Sequence, residues 1–299
     1  MNQPSAKSVS NASPLAGIAC VSAGILFLTC SDALAKWIGD YYSPVQILFL
    51  RSVIALPVVL ALVLALGGQR ALRTRHVGLH LLRGGLNIIS ASLFYLALRS
   101  LPLAETTAIA FSAPLFVTAL SVLVLKERVD RKGWLAVAAG FAGVLVIVRP
   151  GADSFQMAAL LPLATAAMYA VMMLSARGIN AAESMLTTMF YIVAGQLVCS
   201  ALAAPVFWTP PAWSHLPFFV GIALFSTLGL TFITQGFRIG PASVVAPFDY
   251  TGLLWATLLG WLVWQDIPDV LDSLGAALIV GSGLYIAWRE TRPGKRRRA

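Results

Sequence analysis

The chain has 299 residues, 59% hydrophobic and 11% charged, with a formal net charge of +9 and a mean hydropathy of +0.83. Soluble domains carry about 25% charged residues, so this chain lacks the polar residues that a soluble protein of its size needs at its surface and reads as an integral membrane protein. Its three cysteines, Cys20, Cys30 and Cys199, sit in apolar runs at no metal or redox spacing and read as packing residues.

Residues 1–14 are polar and read as a cytoplasmic N-terminal tail; the apolar stretch that follows is too long for a signal-peptide core and has no cleavage site. A crossing helix needs about 20 residues. On that length the chain predicts ten spans, at 15–37, 44–66, 76–98, 103–125, 133–149, 155–177, 183–207, 214–238, 243–264 and 270–289. Turn signals separate them: Ser43-Pro44, Gly67-Gly68, Leu101-Pro102, Pro150-Gly151, Pro210-Pro211, Gly240-Pro241 and Pro268. The runs lack the period-two alternation of a membrane barrel. Residues 290–299 form a basic tail. With both termini inside, 16 of the 21 Lys and Arg fall on the cytoplasmic side, three (Lys36, Arg99, Arg149) fall outside, and Arg51 and Arg83 lie within spans. The tail then reads as an anchor on anionic lipid, and a nucleic-acid partner is excluded.

Placing residue n against n+139 pairs Arg99 with Arg238, Pro102 with Pro241, Thr118 with Thr257 and Asp130 with Asp269, within nine ungapped matches between Arg99 and Leu135. Phe111/Tyr250, Ser112/Thr251 and Phe116/Trp255 are conservative pairs in the same register. The expected fold is therefore all-α: ten transmembrane helices as two five-helix repeats, 15–149 and 155–289. Five is odd, so the second repeat is inverted. In agreement, Lys126, Arg128, Arg131 and Lys132 have uncharged partners in the other copy (Gln265, Ile267, Val270 and Leu271). Inverted repeats are a design of secondary transporters, in which two similar halves open a central site alternately to each side.

The stretch "LPLAETTAIAFSAPLFVTALSVLVLKERVDRKGWLAVAAGFAGVLVIVRPG", residues 101–151, and its second copy "GPASVVAPFDYTGLLWATLLGWLVWQDIPDVLDSLGAALIVGSG" share one plan. In each, a helix entered after a proline ends at an acidic residue (Glu127 or Asp266), and a helix rich in small residues follows. This arrangement resembles the drug/metabolite transporter superfamily, EamA type, over nearly the whole chain. Within it the chain looks most like the bacterial aromatic amino acid exporters of the YddG type. The resemblance implies an inner-membrane location and export of amino acids or similar small metabolites.

Ionisable groups inside spans are unfavourable unless they serve a function or find a partner. At 1.5 Å rise per residue, Asp32 and Arg51 both lie roughly 10 Å below the outer surface, while Arg83 and Asp249 share a level in the other leaflet. Two acid–base pairs are thus expected, Asp32 with Arg51 and Arg83 with Asp249, each acting as a structural clamp, a gate, or a handle for a substrate carboxylate or ammonium. Pro247 removes a helix hydrogen bond beside Asp249, and Pro114 kinks the fourth span at a different level. Irregular backbone at depth belongs inside protein or beside a watery cavity. The expected cavity is lined by the fourth and ninth spans, with Asn87, Ser90, Ser92, Tyr95, Ser112, Tyr169, Gln235, Asp249, Tyr250 and Trp255 as candidate lining.

Other features carry plainer readings. Gly84-Gly85, Gly140/Gly143 and Gly281/Gly283 permit close helix packing. Trp37, Trp208, Trp213, Trp261, Trp264 and Trp288 form an interfacial belt. His76 and His80 are four apart but lack a Glu or Cys to complete a metal set, and Glu105 reads as a surface carboxylate. No nucleotide loop, GxSxG or HExxH stands in the sequence, so neither direct ATP drive nor intramembrane hydrolysis is expected, and no cofactor. The leading expectation is a secondary transporter of amino acids, aromatic and other neutral ones. The alternatives are an exporter of drugs or other metabolites and a non-transporting membrane protein.

Overall fold

The computed structural model describes residues 14–127, 129–151, 156–175 and 185–290. Both tails, Arg128 and Arg177 lie outside the described residues. The helices are α1 (Pro14–Ile38), α2 (Pro44–Gly67), α3 (Val77–Leu98), α4 (Leu103–Ala110), α5 (Ala113–Val124), α6 (Arg131–Val148), α7 (Leu160–Ser175), α8 (Met185–Ala203), α9 (Leu216–Ile239), α10 (Ala242–Val245), α11 (Thr251–Trp264) and α12 (Val270–Glu290). Among the described residues, nine helical segments are long and apolar enough to cross a membrane, with α4 and α5 together forming one of them.

The expected ninth span departs from a continuous helix. It is divided into α10, a 3-10 stretch at Ala246–Tyr250, and α11. Pro247 has no N–H for the carbonyl four residues back, so the tighter turn replaces the helix there. The fourth span is interrupted at Phe111 and Ser112, just before Pro114, whose missing donor leaves the Ala110 carbonyl without its helical bond. The two prolines differ in position, as expected. The interruptions overlap in the n+139 register, where Phe111 aligns with Tyr250, the last residue of the 3-10 stretch, and Ser112 with Thr251, the first of α11. Backbone ψ is −1° and −6° at Phe111 and Ser112, and −9° and −19° at Tyr250 and Thr251.

Small residues set the closest helix approaches. On α1 and α9, a Cβ at Gly24 would lie 2.8 Å from the Gly229 carbonyl oxygen, and one at Gly229 2.8 Å from that of Gly24. A turn or two away, Gly17 meets Gly236 and Gly240 in the same way. Gly84 packs on the Gly195 backbone between α3 and α8, and Gly143 on Gly275 between α6 and α12. Gly140 admits Leu115, and Gly283 leaves room for the Tyr250 hydroxyl. Gly281 faces no neighbouring atom within 4 Å, and Gly85 meets only Cys199 Sγ at 3.6 Å, so these two do not serve close packing.

The α6–α12 seam is clamped at both ends. Asp130 caps α6 by accepting from Gly133 N at 3.0 Å and also pairs with Arg289 near the end of α12. At the opposite end, Asp269 precedes α12, accepts from Asp272 N at 2.8 Å, and pairs with Arg149 at 2.6 Å. Arg149 follows α6 in a left-handed conformation, φ 49°, and also reaches Asp272 at 2.8 Å. Asp130 and Asp269 are 139 residues apart, Arg149 and Arg289 are 140 apart, and each aspartate pairs with the arginine of the other half.

At the Arg149 end, Lys36 turns inward from α1. It donates to the carbonyls of Leu98 and Leu101 at 3.0 and 2.5 Å, beyond the C-terminal turn of α3. The start of α2 is joined to the segment before α9. Gln46 exchanges two hydrogen bonds with the Thr209 backbone, at 2.6 and 2.9 Å, and the Tyr42 hydroxyl accepts from Ala212 N at 3.0 Å.

Two tests follow from this packing. Gly24→Ala puts a methyl against a backbone that cannot yield, and we expect a loss of about 1–3 kcal/mol, read as a lower melting temperature in detergent; an unchanged melt would mean that α1 and α9 separate freely. For the clamp, the hydrogen bond from Arg149 holds the Asp269 carboxyl below its usual range. A carboxyl lowered on folding contributes stability above its unfolded value, and that contribution fades as pH falls through the lowered one. Asp269→Asn is expected to melt earlier than the native chain at pH 7 and to lose less on acidification to about pH 3. Parallel melting curves would show that the ion pair contributes nothing.

Candidate functional site

The candidate site gathers around the two interrupted spans. Phe111 and Tyr250 meet edge to face there, with ring centroids 5.2 Å apart. Thr251 closes part of the opened backbone by donating its hydroxyl to the Phe248 carbonyl at 2.7 Å. Other groups stay open. Asp249 Oδ1, Trp255 Nε1 and Ser112 Oγ are all buried without a hydrogen-bond partner, and so is Ser92 Oγ on α3. A buried polar atom left unpaired is unfavourable by about 1–3 kcal/mol.

The expected Arg83–Asp249 pair does not close directly. The Tyr169 hydroxyl on α7 stands within electrostatic range of both charges, and Tyr169 is itself 42% exposed. Arg83 is almost fully buried, with its Nε unpartnered. Residue counting put Arg83 and Asp249 at one level, but the ion pair expected from that level is not made among the described residues.

The other pair is organised in the same way. Asp32 and Arg51 are close enough for their charges to interact, yet no ion pair joins them among the described residues. Instead Arg51 donates to the Tyr95 hydroxyl at 3.2 Å, and Ser31 and Asp32 lie within range of that same hydroxyl. Each expected acid–base pair thus has a tyrosine within electrostatic range of both charges, and Tyr95 alone of the two is hydrogen-bonded to one of them. Arg51 also borders a small cavity of about 20 Å³, shared with Gln196, Ser226 and Thr227, which is room for about one water molecule. Gln196 Nε2 is a further unpartnered buried donor, and nothing in the sequence-based expectation included it.

The remaining candidates separate. Ser90 is occupied: its hydroxyl donates to the Thr165 carbonyl at 3.1 Å, and Thr165 Oγ1 donates back to the Ser90 carbonyl at 3.2 Å, clamping α3 to α7. Asn87 makes a long contact with Met172 Sδ, 3.8 Å. Gln235 is exposed and accepts from Arg238 at 3.3 Å, near the C-terminal end of α9. His80 is buried and stacks on Tyr191, with centroids 5.0 Å apart. Among the described residues no group of three or more His, Cys, Asp or Glu could hold a metal ion.

A recess of about 940 Å³ opens beside the interruption. The expected fourth and ninth spans line it, and α12 supplies a third wall. Pro247, Phe248, Tyr250 and Thr251 border it at the break, while Glu105 and Asp272 border it toward the Arg149 end. Of the expected cavity residues, Tyr250 alone borders this recess. Glu105 is half-buried in its wall rather than on an open surface.

Comparison with known proteins gives concordant results. Residues 12–149 match the EamA-like transporter family. The chain is 34% identical to a riboflavin transporter of Vibrio cholerae over 250 residues, 82% of this chain and 83% of that one. It is 25% identical to an S-adenosylmethionine uptake transporter of Rickettsia conorii, covering 95% of this chain and 96% of that one. It is 29% identical to the pseudopaline exporter of Pseudomonas aeruginosa, covering 88% and 92%. A crystal structure 22% identical in sequence superposes with a TM-score of 0.63 over 94% of this chain and all of the other, which shows a shared fold. These relatives are named as transporters of several different solutes, and aromatic amino acid exporters are not among those named here. The chain is a multi-pass membrane protein and belongs to the EamA-like transporter family of small-molecule transporters.

Proposed function

We propose that this transporter carries a flat, hydrogen-bonding metabolite of the riboflavin class across the bacterial inner membrane, by alternating access between two inverted five-helix repeats, 15–149 and 155–289. The observation that carries this reading is the open turn at Ala246–Tyr250. Unpartnered buried donors and acceptors (Asp249 Oδ1, Trp255 Nε1, Ser112 Oγ) lie beside the Phe111 and Tyr250 rings. A heteroaromatic solute offers ring faces to such aromatic walls and edge donors and acceptors to such atoms. The similarity to a riboflavin transporter supports that solute class.

The repeat reading has its own support. A two-fold relation between the halves requires helix contacts to recur with their partners exchanged, and several of the most extensive do. The α1–α9 contact recurs as α3–α7, α3–α8 as α2–α9, and α1–α11 as the contacts of α7 with α4 and α5, while α2–α8, α6–α12 and α4–α11 map onto themselves. The crossed pairs Asp130–Arg289 and Arg149–Asp269 obey the same exchange.

Amino-acid export is the second reading. It is favoured by Arg83 and Asp249, which carry unpartnered buried atoms and lie in electrostatic range of Tyr169, and so offer opposite charges to a zwitterion.

In proteoliposomes, uptake of riboflavin read by fluorescence is expected to be saturable and to be competed by unlabelled riboflavin more strongly than by phenylalanine or leucine. The reverse order would select the amino-acid reading, and no flux of either would overturn both. Asp249→Asn keeps the shape and is expected to insert and melt normally while flux falls about tenfold, the effect of one charged hydrogen bond. If Asp249 instead served the fold, Asp249→Asn would lower the melting temperature and Arg83→Gln would restore part of it.

Both termini are proposed to be cytoplasmic. Arg296→Cys, in a background without Cys20, Cys30 and Cys199, is expected to resist an impermeant maleimide in intact cells and to react after permeabilisation. Labelling from outside would reverse the orientation.

A further inference from the structure

We propose that the recess walled by α4, α11 and α12 is a lateral binding groove for an ammonium-bearing phospholipid, phosphatidylethanolamine. The groove holds about 940 Å³, at the upper end of the range for small-molecule sites. Its walls are mostly apolar: Leu253, Leu254, Leu258 and Trp261 from α11, and Ala276 and Val280 from α12. Leu254, Trp261 and Ile267 are 68%, 47% and 75% exposed. The groove therefore opens sideways, toward the hydrocarbon, rather than along the bundle axis. A hydrated solute would have to shed its water against such walls, whereas an acyl chain enters them from a surrounding that is already apolar.

The polar end of the groove selects the head group. Glu105 projects into it, and among the described residues no hydrogen bond or ion pair holds its carboxylate. Asp272 stands beside it, sharing the single cation Arg149 with Asp269. Three carboxylates thus gather around one arginine, and the next cation in range of Glu105, Lys36, is engaged by the carbonyls of Leu98 and Leu101. A primary ammonium supplies the missing positive charge and up to three donors, while an anionic head group is repelled. At its other end the groove reaches Pro247, Phe248 and Tyr250, so an acyl chain lying in it touches the interrupted span directly.

The inference uses the proposed function only to assign the leaflet, and its test needs no transported solute. The full chain, delipidated in detergent, is titrated in native mass spectrometry with phosphatidylethanolamine and with phosphatidylglycerol of the same acyl chains. The first phosphatidylethanolamine adduct is expected at a concentration about fivefold lower than the first phosphatidylglycerol adduct, the effect of one partly solvated ion pair. Glu105→Gln is expected to bring the two lipids to parity. Ala277→Trp, which fills an exposed part of the groove wall, is expected to remove the first adduct of both while the melting temperature holds. Equal binding of the two lipids by the native chain, or a preference that survives Glu105→Gln, overturns the proposal. Dodecylammonium binding in the groove without phosphatidylethanolamine binding also overturns it, in favour of a soluble cationic ligand. If either variant melts early, the native chain's own lipid preference and its loss on competition with dodecylammonium decide the question.

Discussion

In hydrocarbon every backbone donor and acceptor needs a partner within the protein, and the architecture of this chain follows from that single constraint. It forces continuous helix wherever the chain meets lipid, so each interruption must be sheltered. The two interruptions here shelter one another: Phe111 on the fourth span packs against Tyr250 on the ninth, and Gly252 leaves the space that the Phe111 ring occupies. Thr251 and Thr118 return hydroxyls to carbonyls near the breaks, at 2.7 and 2.9 Å. Near the breaks Asp249, Trp255 and Ser112 keep unsatisfied buried atoms, and others lie on α3 and α8 at Arg83, Ser92 and Gln196.

Helix association in a membrane gains little from hydrophobicity, because lipid is as apolar as the side chains. Close approach and end-to-end electrostatics take its place. Gly24 against Gly229, Gly84 against Gly195 and Gly143 against Gly275 bring backbones within van der Waals distance. The two Asp–Arg clamps then fix the α6–α12 seam where it reaches the polar interfaces. Each clamping aspartate also accepts from the first turn of its helix, so one carboxylate serves the helix end, the macrodipole and the partner helix together.

The placement of most apolar helices was legible because span length is a strict requirement, and helix ends fell within a few residues of the turn signals; nine of the ten expected spans are long and apolar enough among the described residues, the expected ninth span being broken at Ala246–Tyr250. The common level of the two interruptions was less visible. Pro114 and Pro247 are not aligned, and only the backbone shows that the two breaks overlap at Phe111 and its counterpart Tyr250. Depth is readable from a count of residues, which is why Asp32 was grouped with Arg51 and Arg83 with Asp249. Azimuth is not readable in a helix this uniformly apolar, so Tyr95 and Tyr169, each in range of two opposite charges, were selected only as polar lining. For the same reason a hydroxyl turned to Thr165, as at Ser90, and an amide turned to Arg238, as at Gln235, look alike in sequence. The crossed clamp was half visible. Asp130 and Asp269 fell in the ungapped register, but Arg149 and Arg289 need one more residue of offset and escaped it.

The clamped seam and the charges at depth differ in how they are joined. Breaking a direct, buried ion pair strands two charges and is unfavourable by about 3–5 kcal/mol, enough to lock a helix pair through a conformational cycle. The α6–α12 ion pairs lie at the ends of the helices, partly solvated, and reinforce a seam whose glycines already hold it closed along its length. Inside the membrane no direct ion pair joins Asp32 to Arg51 or Arg83 to Asp249 among the described residues. A tyrosine hydroxyl can donate to a carboxylate or accept from a guanidinium, and the Tyr95 hydroxyl accepts from Arg51 with Asp32 in electrostatic range. The charges at depth are therefore in range of one another without a direct ion pair, whereas α6 and α12 are tied by ion pairs at both ends.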